Sequence, residues 1–261
     1  MTPLKTLLKQ YYYYYLIGAV FLIVMKLFAE SADADTLRFL LAPVSGLVSL
    51  ICGAPFLWEP HAGYVSHDLR FLIAASCSGI NFMMIAVGML FFSFLHRISV
   101  HKILQSLWLP VSLILAYCYT ILTNTVRILI AIYLPLYLKK QGLLPALLSP
   151  DTLHTLIGTV VYFSSLLFFY SLTDKVINKR ILPSSCKYCT AEATHSLLCR
   201  STLLPLFWYV GIVLGLPLFS RILQRNFSGF GSYTLLVLGS CFVIYLLRKL
   251  ISAMPARKHP R

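Results

Sequence analysis

The sequence predicts an all-α fold, a polytopic integral membrane helical bundle of about six to eight transmembrane or re-entrant helices. Three observations predict it. Of the 261 residues 59% are hydrophobic, and the mean hydropathy is +0.80. Only 11% are charged, against roughly 25% in a soluble domain. That is too few to cover a soluble fold of this size, so lipid must solvate much of the surface. The basic residues behind the net charge of +14 fall mostly between and beyond apolar runs, the pattern of cytoplasmic connections. The lipid bilayer is therefore the expected partner, and nucleic acid is not.

The elements follow in order. Residues 1–10 are short and basic. Tyr11–Phe28 is the first span, its five leading tyrosines forming an interfacial belt; it lacks a small-residue cleavage site and reads as an anchor. Glu30, Asp33 and Asp35 place the next loop outside. Thr36–Cys52 is apolar but short and holds Pro43 and Gly46, so a re-entrant or interfacial helix is expected. Gly53–Arg70 is a polar outer loop. Phe71–Leu95 is long enough to cross, at about 37 Å as a helix, and ends at the basic His96, Arg97, His101 and Lys102. Ile103–Leu122 returns outward. Asn124–Leu138 is marginal and contains Pro135, so it is expected to lie in the interface. His154–Leu172 spans inward. Residues 174–202 form a basic cytoplasmic loop, and 203–261 a terminal hairpin (Leu203–Phe219, Tyr233–Leu250) with a basic tail. Residues 1–173 make up the core.

This topology brings Cys77, Arg127 and His154 to one membrane depth, on the outer side, from three segments. Ionisable groups at that depth usually face a protein interior or a wet cavity. Cys77 lies in the small, polar stretch Ser76-Cys77-Ser78-Gly79-Ile80-Asn81; alone, such a cysteine is usually a small hydrophobe. Arg127, in Asn124-Thr125-Val126-Arg127, could snorkel to headgroups or stand as a fixed cation beside a developing oxyanion. His154 could sit at headgroup level or act as acid and base near neutral pH. A cysteine with a histidine suits acyl transfer through a thioester.

Cys-Ser-Gly at 77–79, Asn-x-x-Arg at 124–127 and His-x-x-x-Gly at 154–158, in that order in a polytopic chain, resemble the exosortase/archaeosortase family. The stretch 77–82, with Leu-Ala-Pro at 41–43 and Ala-Gly-Tyr at 62–64, is most similar to the exosortase K branch. The resemblance covers residues 11–173. It implies a membrane cysteine transpeptidase in the bacterial inner membrane with its site near the periplasmic face. Its substrates would be exported proteins with a C-terminal sorting tail, made of a short motif such as Pro-Glu-Pro, an apolar helix and a basic cluster. Transfer to a lipid or glycan acceptor, as in exopolysaccharide-linked envelope assembly, would follow. In that reading Cys77 is the nucleophile, Arg127 the transition-state stabiliser and His154 the acid/base, with Ser78, Gly79, Asn81 and Asn124 supporting. Asn81 stands where many exosortases have serine. No cofactor and no metal is expected.

Other features are weighed against this reading. Cys186-x-x-Cys189, with His195 and Cys199 beyond, has one ligand pair of metal spacing, but zinc motifs usually show two, so reduced loop cysteines are preferred. His61 and His67, with Glu59 and Asp68, read as an exposed polar loop rather than a metal site or substrate entrance. The competing functions are a lipid- or phosphate-handling enzyme or transporter that uses Arg127 and His154 on a headgroup and tolerates loss of Cys77, and a non-catalytic assembly partner.

Overall fold

The computed structural model describes residues 10–98, 102–141, 150–181, 203–215, 218 and 230–253. The architecture is an all-α bundle with a small sheet at one end. Helices α1 (Tyr12–Ser31) and α2 (Arg38–Cys52) precede a three-stranded sheet, β1 (Leu57–Glu59), β2 (Gly63–Ser66) and β3 (Phe71–Ile73). A 3₁₀ turn (Ala75–Cys77) leads into α3 (Ile80–Ile98). Then follow the short α4 (Lys102–Ser106), α5 (Trp108–Lys140), α6 (Pro150–Val176), α7 (Leu203–Val213) and α8 (Phe230–Ala253). Five helical segments are long and apolar enough to cross a membrane, so the chain is a multi-pass membrane protein.

Helix α3 is the hub. Nearly every side chain from Ile80 to Ile98 is buried, and α1, α5, α6 and α7 all pack on it. Gly18 lets α1 approach closely, because a Cβ there would lie 2.4 Å from the ring of Phe91. The tyrosine run divides by helical phase: Tyr12 and Tyr13 are exposed, Tyr11 is buried, and Tyr15 stacks on Phe92 at 5.7 Å. The indole N–H of Trp108 donates to the Leu90 carbonyl at 3.1 Å and fixes the start of α5 against α3.

Helix α2 has 15 residues, about 22 Å, and is too short to cross a hydrocarbon core of ~30 Å. Pro43 lacks the N–H that would bond the Phe39 carbonyl one turn back. The hydroxyl of Tyr117 donates to that freed carbonyl at 2.9 Å, and the Phe39 and Tyr117 rings stack at 6.2 Å. The proline thus creates the acceptor that docks α2 on α5.

Two expectations are corrected here. Phe71–Leu95 is not one helix. Phe71–Ile73 is the third strand of an antiparallel meander in the order β1-β2-β3, and the helix starts only at Ile80. Alternation over three residues is too short to stand out from a helical run. Gly63 holds the sheet together: its φ is +123°, and a Cβ would lie 2.3 Å from the Ile73 carbonyl oxygen. Next, Ile103–Leu122 and Asn124–Leu138 are not separate elements. They belong almost wholly to the single 33-residue helix α5, with Pro135 inside it. Marginal length and Pro135 suggest an interfacial segment, but Thr120, Thr123, Asn124 and Arg127 form one buried stripe at helical spacing within the long helix.

At the opposite end of the bundle from the sheet, buried Arg97 joins α3 to α6. It donates to Asp174 at 2.6 Å and to Asn178 at 2.5 Å. Breaking one side of such a pair leaves an uncompensated charge. Arg97→Leu is expected to cost about 3 kcal/mol, the lower end for buried pairs because Asp174 is partly exposed. Adding Asp174→Leu should recover part of the loss in thermal unfolding of the detergent-solubilised protein.

Residues 174–181 continue the α6 helix and its π turn; the rest of the expected loop, including Cys186, Cys189, His195 and Cys199, lies outside the described residues. In the C-terminal part, α7 packs its Trp208 on Phe92 at 5.2 Å and its Tyr209 on Phe163 at 5.3 Å.

Candidate active site

Cys77 closes the 3₁₀ turn, its N–H donating to the Ala74 carbonyl at 2.8 Å. It is a free cysteine, 7% exposed. Two residues later Gly79 takes φ +77°, a left-handed conformation that glycine adopts without a steric penalty. The chain then enters α3, with Ser78 Oγ accepting the Ile80 N–H at 3.4 Å. Gly79 also presses against α5: a Cβ there would lie 3.2 Å from Asn124 Cγ and 3.2 Å from Thr120 Cγ2. Gly79→Ala is therefore expected to destabilise the protein by about 1–3 kcal/mol of backbone strain and to push Asn124 aside. Thermal unfolding and labelling of Cys77 would both register it.

Asn124 is fully buried and links the first two predicted groups. Its Nδ2 donates to the Cys77 carbonyl at 2.5 Å, and its Oδ1 accepts from Arg127 Nη1 at 3.4 Å. Arg127 Nη2 lies 2.7 Å from His154 Nε2. A guanidinium can only donate, so in this arrangement Nε2 accepts and carries no proton. Cys77, Asn124, Arg127 and His154 thus form one chain of contacts across α5, α6 and the 3₁₀ turn before α3. Arg127 stands between the cysteine turn and the histidine, an order that the sequence alone does not disclose.

Arg127 lies nineteen positions after Trp108, about 28 Å along the helix. It is only 5% exposed. Among the described residues no carboxylate pairs with it, and its Nε has no hydrogen-bond partner. The expectation of a headgroup-snorkelling arginine is not met; the side chain is turned into the protein. Gly158 lies beside it, where a Cβ would stand in ordinary contact at 3.5 Å from Nε.

A cavity of about 210 Å³ opens beside these groups. Its lining includes Ser76, Ser78, Gly79, Asn81, Arg127 and Tyr162, with Ala29 and Ala32 from the end of α1 and the residue just after it. Every supporting residue expected from the sequence (Ser78, Gly79, Asn81, Asn124) therefore lines the cavity or ties its walls together. Tyr162 was not foreseen. Its ring stacks on Phe82 at 4.8 Å and lies 5.4 Å from the Arg127 guanidinium carbon. The available signal was that His154, Gly158 and Tyr162 recur every four residues on α6, one helical face.

The outer loop residues are placed differently. His61 Nδ1 pairs with Asp35 at 2.9 Å, and His67 lies 3.6 Å from Glu59. The N–H and O–H of Thr36 donate to Asp33 Oδ1 at 2.8 and 2.6 Å, holding that carboxyl below its ordinary range. Asp33, Asp35 and His61 bring potential ligand atoms within 4.8 Å of one another, all exposed.

A profile of the transmembrane exosortase family matches residues 6–171. The chain belongs to that family. Searches of curated proteins and of solved structures found no match. The matched region of this exosortase ends within the last turns of α6 and contains every residue of the site above. The family is one of membrane peptidases and transpeptidases.

Proposed function

We propose that this exosortase is a cysteine transpeptidase of the exosortase K branch, acting at the outer face of the bacterial inner membrane. It would remove C-terminal sorting tails (motif, apolar helix, basic cluster) from exported proteins and pass them to a lipid or glycan acceptor. The observation that carries this reading is Arg127: a buried cation with no carboxylate partner among the described residues and an unpartnered Nε, lining a cavity beside the turn of a free cysteine. A buried charge in that state is costly, and a developing oxyanion is the group it lacks.

The steps balance without a cofactor. His154 takes the Cys77 thiol proton at Nε2 once Arg127 turns its donors toward the substrate. The Cys77 sulfur attacks the scissile carbonyl carbon, and Arg127 stabilises the oxygen that becomes negative. The C–N bond breaks, His154 returns the proton to the leaving amine, and a thioester on Cys77 remains. An acceptor hydroxyl or amine then gives its proton to His154 and attacks the thioester, and the proton restores the thiol. Ser78, Gly79 and Asn81 shape the cavity for the peptide, while Asn124 holds the cysteine turn.

The reading is tested by co-expressing the protein with a reporter carrying such a tail. Mass spectrometry of the reporter should show a new C-terminus bearing a covalent acceptor, and a reporter lacking the motif should stay intact. Reporters left whole across a panel of tails drawn from the same genome would overturn it. The phosphate-binding alternative predicts that activity survives loss of Cys77.

A further inference from the structure

Tyr162 takes no part in the steps above, yet it touches their framework at three points. Its hydroxyl donates to Asn124 Oδ1 at 2.8 Å, its ring underlies Arg127, and the same ring stacks on Phe82 in the cavity wall. The orientation of the Asn124 amide decides what this means. The Cys77 carbonyl can only accept, so it must face Nδ2; Oδ1 is then turned toward Arg127 and Tyr162. The bond from Arg127 is long, at 3.4 Å, and therefore weak. Of the two bonds to Oδ1, the one from Tyr162 is the shorter, and it holds that side of the amide while the Cys77 carbonyl holds Nδ2.

We propose that Tyr162 is a positioning residue. Its hydroxyl locks the Asn124 amide, and through it sets the Cys77 turn and the Arg127 guanidinium in one arrangement. The catalytic consequence rests on the transpeptidase reading; the positioning itself does not. Tyr162→Phe isolates the hydroxyl, because phenylalanine keeps the ring on Phe82 and under Arg127.

The experiment is a double-mutant cycle in the full-length purified protein. The wild type, Tyr162→Phe, Asn124→Ala and the double variant are treated with iodoacetamide, and alkylation of Cys77 is followed by peptide mass spectrometry. Tyr162→Phe should raise the alkylation rate of the buried thiol about fivefold, the effect of one lost hydrogen bond. In the Asn124→Ala background it should add nothing. An unchanged rate in Tyr162→Phe, or the same factor in both backgrounds, would overturn the proposal. If Asn124→Ala does not accumulate in membranes, Asn124→Asp takes its place. It retains acceptor oxygens for Tyr162 but cannot donate to the Cys77 carbonyl, so the cycle should again show no added effect.

Tail removal supplies a second readout. Tyr162→Phe should lower kcat about tenfold with KM within about twofold. A raised KM at unchanged kcat would mean that Tyr162 contacts substrate, and would overturn a positioning role. Should the wild type cleave no tail, the transpeptidase reading fails, and the alkylation cycle still decides the role of Tyr162.

Discussion

Cys77→Ala is expected to abolish tail removal, lowering turnover by at least about 10³-fold while the protein accumulates in membranes at wild-type levels. The size follows from what each part contributes. Without the thiol no thioester forms, and only binding and oxyanion stabilisation remain to accelerate hydrolysis. The fold should tolerate the change. Cys77 is held by its backbone, through the Ala74 and Asn124 contacts, and both persist in alanine. Cys77→Ser should be nearly as inactive, since a serine hydroxyl is a far weaker nucleophile in the absence of a strong base. Mobility-shift assays of a tailed reporter against matched enzyme levels would show this. Tail removal by Cys77→Ala at the wild-type rate would eliminate the cysteine mechanism and favour phosphate or headgroup handling by Arg127.

Arg127→Met is expected to separate activity from stability. Loss of the oxyanion donor should lower kcat by about 10²–10³-fold. Thermal stability in detergent should hold or rise, because the substitution removes a buried cation that has no carboxylate partner among the described residues. The Tyr162 hydroxyl still satisfies Asn124 Oδ1 afterwards. Arg127→Lys should remain close to the methionine variant in activity. A lysine keeps the charge but offers one compact ammonium where the guanidinium reaches Asn124, His154 and the face of Tyr162 together. A stability loss that parallels the activity loss in Arg127→Met would show the arginine to be a structural strut. Thermal unfolding and steady-state kinetics on the same preparations distinguish the two.

Much of the protein was legible from local sequence. Hydropathy, charge scarcity and the placement of lysines and arginines identify a helical membrane bundle, because the bilayer demands long apolar segments with satisfied backbones. Helix α2 was legible as a short, non-spanning segment for the same reason. Loop charge predicts Cys77, Arg127 and His154 at one level; the structure carries Arg127 within the length of α5 rather than at the end of a span, places it against His154 and ties it to the Cys77 turn through Asn124.

Tertiary structure decided what depends on partners distant in sequence. A marginal apolar length with a proline looks like an interfacial segment when its neighbours are unknown; packed in the bundle, Thr120, Thr123 and Asn124 form the buried inner face of one long helix. The three short strands escaped notice because their stability comes from cross-strand pairing and from a glycine seated under the Ile73 carbonyl, neither of which leaves a periodic signal. Tyr162 is one aromatic among sixteen tyrosines, and only the approach of α6 to Asn124 and Arg127 distinguishes it. The sequence by itself therefore determined the solvent and the helical class of the fold. Only the fold determined the order of contact at the site, because hydrogen bonds between a turn and two helices depend on how those elements pack and not on the spacing within any one of them.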